Sequence, residues 1–357
     1  MPTDTSMSIA SVRTLRLALG AAIAIGFSQA GAWPMSFVAP VFVVILLALP
    51  APALPLKSGI GFVLVLALSI YGGMLLLPLL VYQIASGILV LTLLLFWSFC
   101  YPLQGGSVLI GTFITVGLTL TVAIGRGSID VFLTLAAWVS INAGIAIAFV
   151  WLAHALLPDS MAKPTPSSVP APVPAPPMDI ATSRRRALRS LVVVLPVCLW
   201  LLLASGTAAA YAPFMIKVAS MGQQTSTQGT AEAGKSLIWS TLIGGVGAVI
   251  GWQVLRLWPS LIMYTLLIAL AGLLIGSRIF KDQGIRPEGP TWSYGYLTLI
   301  VILAPAVLDS MGGSSADAKF WERLVMFGGA TLYAVIAVTV FDAFWGDRVR
   351  QPRTQTS

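Results

Sequence analysis

The sharpest chemical group in this sequence is a lysine inside an apolar run. Lys217 follows Pro213 in Ala212-Pro213-Phe214-Met215-Ile216-Lys217. An ammonium near a bilayer centre costs about 2.5–3.5 kcal/mol on insertion scales, so it requires a partner, water or an anion. Two readings stand. Lys217 receives a substrate carboxylate in a cavity, or it snorkels towards a polar loop starting at Gly222, about 7 Å away at 1.5 Å per residue. Asp309, after Pro305 at the end of another apolar run, is either a proton-exchanging carboxyl or a solvated helix-end residue. Pro40 and Pro213 each withdraw a hydrogen bond from a short helix; the freed carbonyls line a cavity, or the prolines only shape packing.

Other chemistry is not expected. No pair of histidines or cysteines has metal-ligand spacing, and no carboxylate dyad or serine–histidine arrangement marks an enzyme. A nucleotide-binding loop, a cofactor and a nucleic-acid partner are likewise not expected. Cys100, Cys198 and His154 read as ordinary helix residues. Arg126 with Asp130, and Glu322 with Arg323, read as surface anchors or adaptor contacts. Gln29, Gln83, Asn142 and Gln253 read as helix-to-helix hydrogen bonders, each worth about 0.6 kcal/mol. The small residues of Gly72-Gly73, Gly244-Gly245-Val246-Gly247 and Gly328-Gly329 permit close helix approach. Trp33, Trp258, Trp292, Trp321 and Trp345 read as an interfacial belt.

The elements that must position these groups are membrane helices. Hydrophobic residues make up 57% of the 357, charged residues 9%, and mean hydropathy is +0.93. Soluble domains carry about 25% charged residues; a chain so poor in charge cannot cover its interior against water. In lipid, each apolar run becomes a helix that satisfies its own backbone. Breaking the sequence at Pro, Gly and charge clusters gives twelve spans. They lie near 14–32, 34–50, 59–77, 79–100, 107–124 and 130–157, then 187–205, 208–221, 237–257, 259–277, 291–308 and 320–342. The second span of each half is short for a full crossing.

With a cytoplasmic N-terminus, fifteen basic residues fall inside, among them Arg13, Arg16, Lys57, Lys235, Arg278 and Arg348. Only Arg126, Arg256, Lys319 and Arg323 fall outside, which is a strong positive-inside bias. Both termini are thus expected in the cytoplasm. The stretch from Arg13 to Ala30 imitates a secretory signal, but a similar pattern recurs mid-chain, so cleavage is not expected.

The halves echo each other. Arg13-x-x-Arg16 returns as Arg186-x-x-Arg189, and Ala39-Pro40 as Ala212-Pro213, both 173 positions later. Lys57-Ser58 corresponds to Lys235-Ser236, and Pro78 to Pro259. The expected organisation is an all-α polytopic bundle of two parallel six-helix repeats. These are 1–158 and 187–345, with a proline-rich basic linker at 159–186 and a cytoplasmic tail at 346–357. Six spans per repeat give both repeats the same orientation, as in many secondary transporters, whose pathway lies between repeats. The linker composition favours extended polyproline conformation. Arg184-Arg185-Arg186 suits anionic lipid headgroups.

Several stretches resemble the fusaric acid resistance and aromatic acid exporter group of bacterial inner-membrane proteins. In the first half these are Arg13 to Ala32 with Trp33-Pro34, Ala39 to Pro50, and Lys57-Ser58-Gly59-Ile60-Gly61. In the second they are Ala187-Leu188-Arg189, Ala212-Pro213, and Lys235-Ser236-Leu237 with Gly244-Gly245 and Gly247. Members carry a sizeable cytoplasmic domain between the halves; this chain has only its linker, as a compact branch would. The resemblance implies a gradient-driven inner-membrane exporter of hydrophobic or aromatic weak organic acids. It also implies a periplasmic membrane-fusion protein and an outer-membrane channel as partners. A homo-oligomer is compatible with it. The alternative is a non-transporting membrane scaffold in an envelope complex.

Overall fold

The computed structural model describes residues 7–32, 35–124, 129–159, 178–203, 211–227, 230–282, 284–311 and 316–345. The first half holds α1 (Ile9–Gly31), α2 (Val38–Leu47), α3 (Leu56–Met74), α4 (Leu77–Tyr82), α5 (Ile84–Leu103), α6 (Val108–Ile124) and α7 (Ile129–Leu156). The second holds α8 (Ile180–Leu203), α9 (Ala212–Thr227), α10 (Thr230–Leu257), α11 (Leu261–Ile279), α12 (Gly289–Met311) and α13 (Ala316–Trp345). Between α11 and α12 a small hairpin pairs β1 (Phe280–Lys281) with β2 (Gly284–Ile285). Each of the twelve expected spans meets a helix, and α4 is a short extra piece after α3. The linker's 160–177, the tail, Trp33-Pro34 and Arg126 lie outside the described residues.

Among the described residues, eight helical stretches are long and apolar enough to cross a bilayer. Their outward faces are apolar too. On α11, Ile262, Leu266, Leu270 and Leu274 stand one turn apart and are 73, 59, 53 and 62% exposed. A stripe of that kind repels water and suits acyl chains. The protein is therefore an all-α, multi-pass membrane bundle.

The short helices are its interior. All of α2 except Ile45 is buried, and so are residues 212–226 of α9. At 1.5 Å per residue α2 is about 15 Å long, half of a hydrocarbon core, and other helices surround it. Their prolines correct the sequence reading. Pro40 is the third residue of α2 and Pro213 the second of α9. In the first helical turn the amide hydrogen has no intrahelical acceptor, so proline starts these helices without breaking them. Neither frees an interior carbonyl.

One pairing scheme runs through both halves. α1 packs on α2 and α7, and α3 on α6 and α7; likewise α8 packs on α9 and α13, and α10 on α12 and α13. The halves meet through α1 on α11 and α5 on α8, and through α2 on α12 and α6 on α9. Small residues set the first of these contacts. A Cβ added at Gly272 of α11 would lie 2.6 Å from Ala18 Cα, and one at Gly276 would lie 2.9 Å from Thr14 Cγ2. Substituting either glycine would force α1 and α11 apart.

The second arginine of each Arg-x-x-Arg opening is buried and tied to an acid near the end of its half's last helix. Arg16 donates to the Leu157 carbonyl at 3.1 Å and to Asp159 at 2.6 Å. Arg189 donates to the Thr225 carbonyl and to Asp342 at 3.3 Å. These contacts close α1 against α7, and α8 against α13. The acids differ in exposure: Asp159 is 43% exposed and Asp342 only 9%. Asp342→Asn takes the carboxylate from a buried ion pair and should cost about 3 kcal/mol, whereas Asp159→Asn removes a half-exposed carboxylate whose attraction water already screens and should cost under about 1 kcal/mol. Cys100 and Cys198 are free and buried, so thiol-dye labelling on heating reports unfolding. Equal midpoints for the two variants would refute this ranking.

Candidate functional site

The side chain of Lys217 is fully buried, and its ammonium donates to Thr298 Oγ1 of α12 at 2.7 Å. Thr298 in turn donates to the Tyr294 carbonyl at 2.7 Å. Among the described residues Lys217 has no ion-pair partner. The snorkelling alternative needs a polar loop at Gly222. Instead α9 continues to Thr227, and residues 222–226 are buried. The stem therefore does not reach solvent that way and points the charge at another helix. Gly244 of α10 makes room for the acceptor, since a Cβ there would lie 2.5 Å from Thr298 Cβ.

The rest of α9 is a polar hub in an otherwise apolar interior. Gln223 Nε2 donates to Thr115 of α6 at 3.1 Å, and Thr115 lies 3.0 Å from Ser98 of α5. Gln224 Oε1 accepts from Ser236 and Ser240 of α10 at 3.2 and 3.3 Å. Ser190 of α8 meets Thr225 at 2.9 Å. α9 thus reaches α6, α8, α10 and α12 by side-chain hydrogen bonds, and α5 at one remove through Thr115. At the corresponding position of α2 stands Val44, and α2 is apolar throughout. Of these polar groups, only Lys217 stands out from sequence; the glutamines and hydroxyls resemble an ordinary loop after the span.

A cavity of about 170 Å³ opens where α2, α6, α9 and α12 converge, between the two halves. Val44, Ile45, Leu49, Val108, Leu109 and Leu297 supply apolar walls, and Thr112, Ser220, Gln223, Ser293 and Tyr294 supply polar ones. Lys217 sits directly behind this lining: Ile216 beside it and Ser220 one turn on are wall residues, as are Tyr294 and Leu297 beside Thr298. The cavity lies at the end of the bundle that carries Lys57, Lys235, Arg278 and Arg286.

Asp309 is placed elsewhere, at the opposite end. It meets Arg323 Nη1 at 2.6 Å, in an ion pair whose angle falls short of hydrogen-bond geometry, and Lys319 Nζ at 3.4 Å. Arg323 therefore pairs across to α12, whereas its neighbour Glu322 points elsewhere on the helix. Asp309 clamps α12 to α13 and does not join Lys217. Gln29 behaves as expected, donating to the Ala304 carbonyl of α12 at 3.5 Å. Gln83 and Gln253 are exposed. Trp292 lies under Arg278, 5.5 Å from its guanidinium carbon. Trp258, Trp321 and Trp345 are exposed near helix ends.

One string corrects the expectation of no nucleotide loop at the level of pattern. Gly229-Thr230-Ala231-Glu232-Ala233-Gly234-Lys235-Ser236 has the Gly-x-x-x-x-Gly-Lys-Ser spacing of a phosphate-binding loop. That motif works as a loop between a strand and a helix, with backbone amides turned to the phosphates. Here residues 230–236 already belong to α10, whose predecessor is helix α9. Ser236 spends its hydroxyl on Gln224. The spacing is present without the loop that gives it meaning.

Residues 13–154, from α1 to α7, match the model of a family described as a protein of unknown function, DUF2955. No curated protein and no solved structure matches the chain.

The Lys217 environment separates a functional from a structural role. Lys217→Met replaces a buried ammonium by an apolar chain of similar length, and its thermal midpoint should equal or exceed the parent's. Thr298→Val leaves the ammonium without its side-chain acceptor and should cost about 1–3 kcal/mol. If Lys217→Met proves as unstable as Thr298→Val, the lysine serves the fold.

Proposed function

We propose that this protein is an inner-membrane exporter that carries hydrophobic or aromatic weak organic acids outward as their anions. The observation that supports it most is the fully buried Lys217, held only by a hydroxyl beside a cavity between the halves. A cation in such surroundings is costly, and a carboxylate arriving next to it offsets that cost. Pockets for drug-sized ligands span roughly 300–1,000 Å³; about 170 Å³ with mainly apolar walls suits a one-ring acid. The basic end, where the cavity opens, is the cytoplasmic end by the positive-inside rule, so both termini and the linker lie in the cytoplasm. The two halves act as parallel repeats with the pathway at their junction.

The resemblance to the fusaric acid resistance and aromatic acid exporter group fits this assignment, and so do the partners it implies. These are a periplasmic membrane-fusion protein and an outer-membrane channel. Movement is driven by an ion or electrical gradient. Pro213 and Pro40 begin the two helices that face the junction, and Asp309 steadies the periplasmic end.

Proteoliposomes loaded with labelled benzoate test the assignment. The parent protein should exchange it in a saturable, gradient-dependent way, and Lys217→Met should lose at least tenfold of that rate, equivalent to about 1.4 kcal/mol, while remaining folded. Transport by Lys217→Met at the parental rate removes the lysine from the pathway. No transport by the parent, with stable co-purification of envelope partners, favours the scaffold.

A further inference from the structure

A second, larger cavity of about 560 Å³ lies at the opposite end of the bundle, among α1, α10, α11, α12 and α13. Its walls are largely apolar: Trp252, Leu255, Pro259, Leu261 and Val307 line it. Of the polar side chains that also line it, two are almost wholly buried, Tyr264 at 1% and Gln29 at 3% exposure. Among the described residues neither the Tyr264 hydroxyl nor Gln29 Oε1 has a hydrogen-bond partner. Gln29 Nε2 is already engaged by the Ala304 carbonyl, which fixes the amide with its oxygen unpaired. A buried polar group left unpaired costs about 1–3 kcal/mol. Two of them, from different helices on one cavity, constitute a hydrogen-bonding demand. An amide oxygen takes only a donor, while a phenol hydroxyl can donate.

The charges at the mouth are balanced. Arg256 and Asp317, both about half exposed, approach within 3.5 Å, and Trp252 Nε1 donates to Asp317 at 2.7 Å. The Trp252 ring stacks on Phe320 with centroids 5.2 Å apart, so its orientation is fixed from both sides. Among the described residues lining this cavity the one cation, Arg256, is paired with Asp317, in contrast to Lys217.

We propose that this cavity is a binding site for an uncharged, ring-sized molecule bearing an adjacent donor and acceptor, the chemistry of a carboxamide or an undissociated carboxylic acid. The ligand donates to Gln29 Oε1 and accepts from the Tyr264 hydroxyl, and its ring lies against Trp252 and Leu261. The site stands independently of transport through Lys217, because it uses other helices and selects the opposite charge state.

The test places a reporter thiol on the cavity wall. Ser310 is exposed and lines the cavity, and both native cysteines are buried, so Ser310→Cys in nanodiscs is the site a maleimide labels. Benzamide should slow that labelling in a saturable manner. Benzoate at neutral pH should need at least tenfold more to do so. Tyr264→Phe and Gln29→Leu, each in the Ser310→Cys background, should weaken benzamide protection about tenfold, as expected for loss of one buried hydrogen bond. Each variant also removes an unpaired buried polar atom, so the thermal midpoint should not fall; a variant that does unfold is replaced by the other. Lys217→Met should retain full protection, which separates this site from the proposed pathway. Absence of saturable protection, equal protection by benzoate, or parental protection in both folded variants overturns the site.

Discussion

With hydrocarbon outside the bundle, hydrogen bonds between side chains have no competition from water, and where they are placed decides what the interior can do. Most helix contacts here are made by small and apolar residues, as between α1 and α11 at Ala18 and Gly272. The exception is α9, which meets four neighbouring helices through Lys217, Ser190's partner Thr225, Gln223 and Gln224. Each such bond is individually modest in a membrane, about 0.6 kcal/mol on average. Their concentration on one buried helix makes that helix the polar axis of an apolar molecule. Lys217 lies at one end of that concentration with the Thr298 hydroxyl as its acceptor, which leaves most of the cost of burying its charge unmet.

The two halves share a packing scheme but not a lining. α2 and α9 occupy corresponding places, each starting with an Ala-Pro pair and each walled in by neighbouring helices. α2 stops after ten residues and is apolar, whereas α9 runs to sixteen and carries the polar set. Val44 faces the junction from one side and Ser220 and Gln223 from the other. A pathway between such halves is apolar on one wall and hydrogen-bonding on the other. That is the surface an amphipathic acid presents: a ring and a carboxylate.

The helices were legible in the sequence because lipid imposes one rule on every span, and run length with Pro and Gly punctuation is enough to apply it. All twelve spans met helices. What escaped was the behaviour of polar residues after Lys217. Gly222 to Thr225 has loop composition, yet its side chains satisfy one another across helices and the helix continues. The partner on α6 is 108 positions away and those on α10 lie in the next helix, so no local signal announces them. The prolines were misjudged for a related reason: whether a proline breaks a helix depends on its distance from the helix start, and that start was uncertain by a few residues. Arg16 and Arg189 were visible as repeat markers, but their acids Asp159 and Asp342 were not, being over 140 positions away. Gln29 read as a hydrogen bonder; that its oxygen would be left unpaired, on a residue that lines a cavity with Tyr264, required the fold.

α12 ties these features into one geometry. Ser293, Tyr294 and Leu297 border the cavity at the basic end, Thr298 holds Lys217, and Val307 and Ser310 border the cavity at the other end. From Tyr294 to Val307 the helix rises about 20 Å, so a single element walls both chambers and grips the charge between them. Pro305 lies on that element between Thr298 and the far cavity. A proline inside a helix removes one backbone hydrogen bond and lets the helix bend there. Thr298 ties the middle of α12 to α9, while the residues beyond Pro305 border the far chamber. The two chambers therefore share a wall, and among the described residues only the one at the basic end backs onto a buried ammonium.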